Sequence, residues 1–153
     1  MTVVAGHQLQ YLPYVGFFNK MMQSDVFVLV DNIQFVKKEF HKRNKIRTKD
    51  SWMWLTIPVI TKGRYKQKIN EVEINNNLNW RKQHFRAISI NYAKAPYFKY
   101  YASSLKKIYE KDYHRLIDMN FELIRFVLKE LGIKTKILLA SEIGAQGKGT
   151  DLL

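Results

Sequence analysis

The sequence predicts an α/β fold: a small, mainly parallel sheet flanked by helices, with an additional antiparallel strand or hairpin. Three observations predict it. A strand–helix–strand pattern fills residues 2–30. An amphipathic run with helical period spans residues 112–131. An apolar strand pattern follows at residues 135–140. Parallel strands need crossover connections, and helices between strands supply them.

Thr2 to Ala5 is a short apolar strand candidate. It feeds Gly6-His7-Gln8-Leu9-Gln10-Tyr11-Leu12-Pro13, which reads as a loop. Pro13 suits the opening of a helix, where its missing N–H is not needed. Gly16 permits a close approach on that helix, and Phe17, Phe18, Met21 and Met22 give it an apolar face. It should end near Gln23 or Ser24. Asp25 to Val30 contains Val-Phe-Val-Leu-Val and reads as a second, buried strand. Strand, short helix and strand make a parallel βαβ unit. The carboxyl ends of its strands fall at Gly6-His7 and at Asp31-Asn32, the edge where open α/β sheets hold ligands.

Trp52 to Ile57 is rich in aromatic and β-branched residues and reads as a strand, with Pro58 marking an edge or terminus. Lys62-Gly63 is a turn. Lys68 to Ile74 alternates imperfectly and is expected as a further strand. Asn75-Asn76-Asn77 precedes a helix expected from Leu78 to about Asn91, on which Trp80, His84 and Ile88 share a face. Lys94-Ala95-Pro96 breaks the chain before a helix over 97–109. From Asp112 to Leu131, the positions of Leu116, Met119, Leu123, Phe126, Val127 and Leu131 follow a 3.6-residue period. Gly132 fits the C-cap of that helix. Ile137-Leu138-Leu139 centres the last strand. Gly144, Gly147 and Gly149 suggest a loop, and Thr150 the N-cap of a helix beginning Asp151-Leu152-Leu153. Residues 1–153 therefore read as a single α/β domain, the incomplete N-terminal portion of a longer protein.

Composition narrows the classes. A hydrophobic share of 46% with 25% charged residues excludes general disorder. The absence of cysteine excludes disulfides, thiolate metal sites and cysteine nucleophiles in this segment. The start lacks the pattern of a secretory leader, and no apolar run approaches the roughly 20 residues of a membrane span. A cytoplasmic protein is the default expectation. There are 26 Lys and Arg against 13 Asp and Glu, a formal charge of +13. Such a charge draws anions: nucleic acid, anionic lipid headgroups or phosphorylated metabolites.

The residues able to carry chemistry cluster early. His7, Gln8, Gln10 and Tyr11 could hydrogen-bond a ligand at the sheet edge, while the following helix start, with Gly16, could hold a phosphate. Lys20, one turn on, can face the same cleft. The alternative is that His7 and Tyr11 only tie down a loop. Asp31, Asn32 and Gln34 follow the second strand, and Asp31 could orient His7 as a base or bind ribose hydroxyls. No serine is singled out beside them to complete a triad. Lys37, Lys38, Lys42, Arg43, Asn44, Lys45, Arg47 and Lys49 crowd one segment, where Arg43 and Arg47 can grip phosphate bidentately and Lys37 adds mobile charge. A solvated basic surface is the alternative. Nucleic-acid binding is also open, with Trp52, Trp54, Tyr65 and Tyr92 available for stacking. Against it, Trp52 and Trp54 point to one side of a strand and could be core, and no recognition-helix or RNA-binding signature accompanies them. His7, His41, His84 and His114 are too scattered to suggest a metal site, and His84 and His114 read as packed helix residues. Gly144 to Thr150 breaks the phosphate-loop order, and the early loop lacks the three-glycine dinucleotide pattern.

The serial motifs His7-Gln8-x-x-Tyr11-Leu12-Pro13-x-x-Gly16-Phe17-Phe18-x-Lys20, Asp25-Val26-Phe27-Val28-Leu29-x-Asp31, Arg43-Asn44-x-Ile46-x-Thr48, Trp54-Leu55-Thr56-x-Pro58 and Tyr92-x-Lys94-Ala95-Pro96-Tyr97-Phe98 resemble the WbqC-like protein family. Where members often carry proline after Gln8, this chain has Leu9. The resemblance implies a longer whole protein and a role in bacterial polysaccharide or O-antigen biosynthesis. It implies a transferase binding a nucleotide or nucleotide-activated sugar, with His7 and Asp31 catalytic. Gln8, Tyr11, Gly16, Lys20, Gln34, Lys37, Arg43, Asn44 and Arg47 would hold substrate or phosphate. Acyl or aminoacyl transfer to a nucleotide-linked amino sugar is one version, which makes a nucleotide or acyl donor the candidate co-substrate. A non-catalytic scaffold for polysaccharide assembly is the alternative from another class.

Overall fold

The computed structural model describes residues 1–146. Its centre is a parallel sheet of β1 (Val4–Gln8), β2 (Val26–Val30) and β5 (Lys136–Leu139), with β2 in the middle. A separate antiparallel ribbon pairs β3 (Arg43–Arg47) with β4 (Trp52–Thr56). The helices are α1 (Val15–Met22), α2 (Trp80–Tyr92), α3 (Phe98–Glu110) and α4 (Leu116–Leu131). The expected mixed α/β architecture, a small parallel sheet plus an antiparallel pair, is what forms.

The βαβ unit forms because its apolar residues fall where a parallel pair needs them. Phe27 and Leu29 are fully buried and Val28 and Val30 nearly so, which covers both faces of the central strand. From α1, Phe17, Phe18 and Met21 pack into the same core. The first strand starts later than the sequence suggests and continues through His7 and Gln8, residues expected in a loop. Position at the sheet's edge explains this, since an edge strand can end in polar side chains while its backbone pairs with β2. His7 lies opposite Leu29 and Gln8 opposite Val30. The Leu9 N–H extends the pairing to the Val30 carbonyl at 3.2 Å. Proline at position 9 could not donate that bond.

Residues 68–74 do not form the expected strand. Ile69–Glu71 is a single 3₁₀ turn, and the flanks make isolated bridges, Gln34 to Lys68, Val59 to Ile74 and Glu73 to Arg115. Ile69 and Val72 are fully buried three residues apart, the period of a 3₁₀ turn, before Ile74 follows in extended alternation. The bridge at Arg115 also delays α4. The His114 carbonyl accepts from Ile74 N–H at 2.9 Å, and Leu116 N–H reaches Val72 at 2.9 Å. His114 therefore sits in an extended segment with its side chain exposed, not on a packed helix face. His84 is buried on α2 as expected.

Trp52 and Trp54 also depart from expectation. Cross-strand pairing puts Arg43, Lys45 and Arg47 on the same side of the ribbon as Trp52, Trp54 and Thr56. Trp52 is 52% exposed. The core side is taken by Ile46 and Leu55 instead. Ile46 precedes a charged neighbour and carries little periodic signal alone, so the inward side is fixed only once the two strands pair. Gly132 closes α4 as expected, at φ 66, and Ile133 N–H returns to the Leu128 carbonyl at 2.9 Å. Residues 147–153, including Gly147, Gly149 and the Thr150 cap, lie outside the described residues.

Candidate functional site

The carboxyl ends of the three parallel strands bring polar groups to one edge. Directly after β2, Asp31 is 1% exposed. Its carboxylate accepts from Ser141 N–H at 2.9 Å, the Ser141 hydroxyl at 2.5 Å and the Asn70 amide at 3.3 Å. Its carbonyl accepts from Asn70 N–H at 3.0 Å. Asp31 thus fastens the turn after β5 and the 3₁₀ turn to β2. Its neighbour Asn32 donates to the Ala145 carbonyl at 2.7 Å, while its own buried amide oxygen has no partner among the described residues. Beside them opens a crevice of about 390 Å³, lined by Asn32, Ile33, Lys68, Asn70, Ser141 and Gln146 among others. Gln34 stands exposed nearby and donates to the Tyr65 carbonyl at 3.3 Å.

On β1, His7 is half-buried with its ring edge-on to Phe17 at 5.2 Å. Its Nδ1 lies 3.0 Å from the Gln8 carbonyl. Since a carbonyl only accepts, the proton belongs on Nδ1, and Nε2 is left as the bare nitrogen of the neutral ring. The Gln8 side-chain oxygen lies 2.9 Å from Nε2 of His41. His41 is 1% exposed, and among the described residues its buried Nδ1 has no hydrogen-bond partner. Burial lowers its pKa, Glu39 opposes that, and the proximity of His7 lowers it further. His7 and His41 therefore share one neighbourhood with Gln8 between them. Asp31 is not a hydrogen-bond partner of His7.

Several other residues expected at the site do structural tasks. Tyr11 is fully buried, and its hydroxyl meets His84 Nδ1 at 2.8 Å and the Tyr109 hydroxyl at 2.5 Å. Burial pushes both phenols upward and His84 down to about 4, so the whole chain of groups is neutral near pH 7. Asn44 donates to the carbonyls of Tyr11 at 3.2 Å and Leu12 at 2.7 Å. Leu12 has φ 45, left-handed and just before Pro13, so Asn44 pins a turn that is costly to hold. Lys20 donates to the Gly6 carbonyl at 2.7 Å, covering a backbone group of the edge strand. A Cβ on Gly16 would come within 2.3 Å of the Tyr14 ring.

The basic residues stand apart from the crevice lining. Arg43 donates to the Lys38 carbonyl and lies 4.3 Å over the Trp54 ring. Lys37 lies 5.8 Å from the Tyr65 ring centre. Arg47 is exposed, with its backbone N–H on the Tyr92 hydroxyl at 3.1 Å. Partial burial, then Arg43 and Lys37, push the Lys42 pKa down, a sign of crowded positive charge. A larger concavity of about 960 Å³ lies elsewhere, between α3, α4 and the β5 end. Its floor includes Ile108, Phe126 and Ile133, and none of the expected site residues lines it. Among the described residues, no group of three or more His, Asp or Glu could hold a metal ion.

Residues 8–153 match the family model described as the WbqC-like protein family. The chain belongs to that family. Among curated proteins, one from Mycobacterium tuberculosis, described as uncharacterized, is 36% identical over 138 residues. That alignment covers 90% of this chain and 59% of the relative, so the chain spans under two thirds of that protein's length. No solved structure matches. Within this WbqC-like protein, the residues that sequence reasoning missed are Asn70, Ser141 as the partner of Asp31, His41 as the partner of Gln8, and Tyr109. Each is joined to its partner across a long stretch of chain, so local spacing carries no signal for it. His41 left a trace, as a histidine inside the basic segment.

Proposed function

We propose that this WbqC-like protein binds a nucleotide or nucleotide-activated sugar in bacterial polysaccharide biosynthesis and transfers a group to it. The supporting observation is the convergence at one sheet edge. Asn32 after β2 and Ser141 after β5 line a polar crevice that also carries Lys68, and His7 and Gln8 end β1 at the same edge of the sheet. This is where α/β sheets hold ligands. Membership in a family linked to O-antigen biosynthesis supports the substrate class. In this reading His7 Nε2 accepts the proton of a sugar amine as the amine attacks an acyl or aminoacyl donor, and the donor's leaving group departs with its electron pair. Lys68 draws the phosphates, and Asp31 holds the frame on which Ser141 and Asn70 stand.

Titration calorimetry with a panel of nucleoside diphosphate sugars tests the binding step. Saturable binding by the native protein, weakened about tenfold in Lys68→Ala, is the expected result. Absence of saturable binding to every member sinks the proposal. For catalysis, His7→Asn should bind with little change yet lose turnover by at least about a hundredfold, the range general-base catalysis contributes. A second reading, a non-catalytic binding protein of polysaccharide assembly, draws on one observation. The Asp31 carboxylate is taken up by Ser141 and Asn70, so it is not aligned on His7. Binding without turnover by the native protein would favour that reading.

A further inference from the structure

The outer side of the β3–β4 ribbon carries charge and aromatic surface that the crevice does not use. Arg43, Lys45 and Arg47 alternate along β3, directly across from Thr56, Trp54 and Trp52. The Lys45 ammonium sits 3.7 Å over the Trp52 ring and 5.1 Å from Trp54. Phe40, 41% exposed, leans on Trp54 at 6.1 Å. Lys37, Lys38, Lys42 and Lys49 extend the charge, against Glu39 and Asp50. These rings are large and apolar, Trp52 and Phe40 are exposed, and both indoles are bordered by cations on flexible or forked stems.

We propose that this ribbon is a docking surface for an anionic lipid bilayer. Charge complementarity selects an anionic partner. The ring geometry then selects the kind. Trp52 and Trp54 stand at 82° to one another, and Phe40 and Trp54 at 41°. Successive bases of a single strand stack on platforms of similar tilt, and these rings offer no such series. A headgroup region makes no demand for coplanar rings. It accepts indole and phenyl groups at the acyl boundary while Lys and Arg extend to lipid phosphates. Each basic side chain near an anionic surface contributes about 1 kcal/mol, so a segment with this many suffices for reversible attachment together with an inserted ring. Trp52 beside the β3–β4 turn is the wedge, and Lys45, released from its ring, is the first phosphate contact.

Vesicle co-sedimentation with the full chain tests this. The probes are phosphatidylcholine vesicles with and without phosphatidylglycerol, at low and high salt. The expected result is partition only into the anionic vesicles, lost at high salt, with a blue shift of tryptophan emission. Trp80 is 3% exposed and cannot report a new apolar environment, so the shift belongs to the ribbon. Lys45→Glu should lower the partition coefficient about tenfold or more, and Trp52→Ser should abolish the blue shift. Lys136→Glu on β5 changes the net charge equally and should have a much smaller effect. Both ribbon positions are exposed, and unchanged melting of the variants checks that they fold. Failure to bind anionic vesicles at low salt overturns the proposal. So does equal loss with Lys136→Glu, which would mean attraction by overall charge alone. So does tight binding of a single-stranded oligonucleotide by Trp52 and Lys45 without vesicle binding.

Discussion

At the residue scale, the separation between holding the fold and meeting a ligand is sharper than the sequence suggests. Tyr11 looks like a ligand contact because it stands in a polar run beside His7, yet its ring lies fully inside and its hydroxyl joins α2 and α3. Tyr11→Phe removes one hydroxyl and leaves both His84 Nδ1 and the Tyr109 hydroxyl short of a partner. A loss of about 1–3 kcal/mol in urea unfolding is expected, with nucleotide-sugar affinity nearly unchanged. Asp31 is similar. Asp31→Ala abolishes three side-chain hydrogen bonds that fasten the turns beside the crevice, and should cost about 3 kcal/mol in the same measurement. Unlike Tyr11→Phe, it should also weaken ligand binding, because Ser141 and Asn70 both line the crevice.

At the element scale, glycines mark two different needs. Gly132 sits at φ 66 where α4 ends and β5 approaches, and the returning bond from Ile133 needs that conformation. Gly132→Ala should lower stability by about 1 kcal/mol, seen as a fall in Tm. Gly16 is different, since it lies within α1 and the nearest atoms a Cβ there would meet belong to the Tyr14 ring. Tyr14 is 61% exposed and its ring can swing away, while alanine favours the helix by about 1 kcal/mol. Gly16→Ala is therefore expected to be nearly neutral in Tm. The short βαβ unit was readable because its apolar runs are continuous and its breaks carry Pro and Gly. The 68–74 segment was not, because Ile69, Val72 and Ile74 fit neither a strand nor a helix period.

At the scale of the whole molecule, buried histidines tie stability to pH. His84 is neutral when folded because burial lowers its pKa from 6.5 to about 4. Between those values the unfolded chain binds a proton that the folded chain refuses, so stability rises with pH through this window. Acidification from pH 7 to pH 4 should therefore cost on the order of 3 kcal/mol from this group. His41, lowered in the same direction, adds to the loss. Urea midpoints across pH 4–7 check it, and Tyr11→Phe should leave the sign unchanged because burial of His84 is the main cause. No helix among the described residues is long and apolar enough to cross a membrane.

Sequence alone determined the α/β class, the parallel βαβ start, the amphipathic α4 with its glycine cap and the basic character of residues 37–49. Those features are written in local order: apolar period, turn chemistry and charge density act between near neighbours. Only the tertiary structure decided that Tyr11 faces His84 and Tyr109, that Asp31 serves Ser141 and Asn70, that His41 meets Gln8, and that Trp52 and Trp54 lie outward beside Lys45 and Arg43. These depend on which side of a strand faces the core and on partners tens of residues apart. A single side chain's type does not encode that choice; the packing of all the elements around one core imposes it.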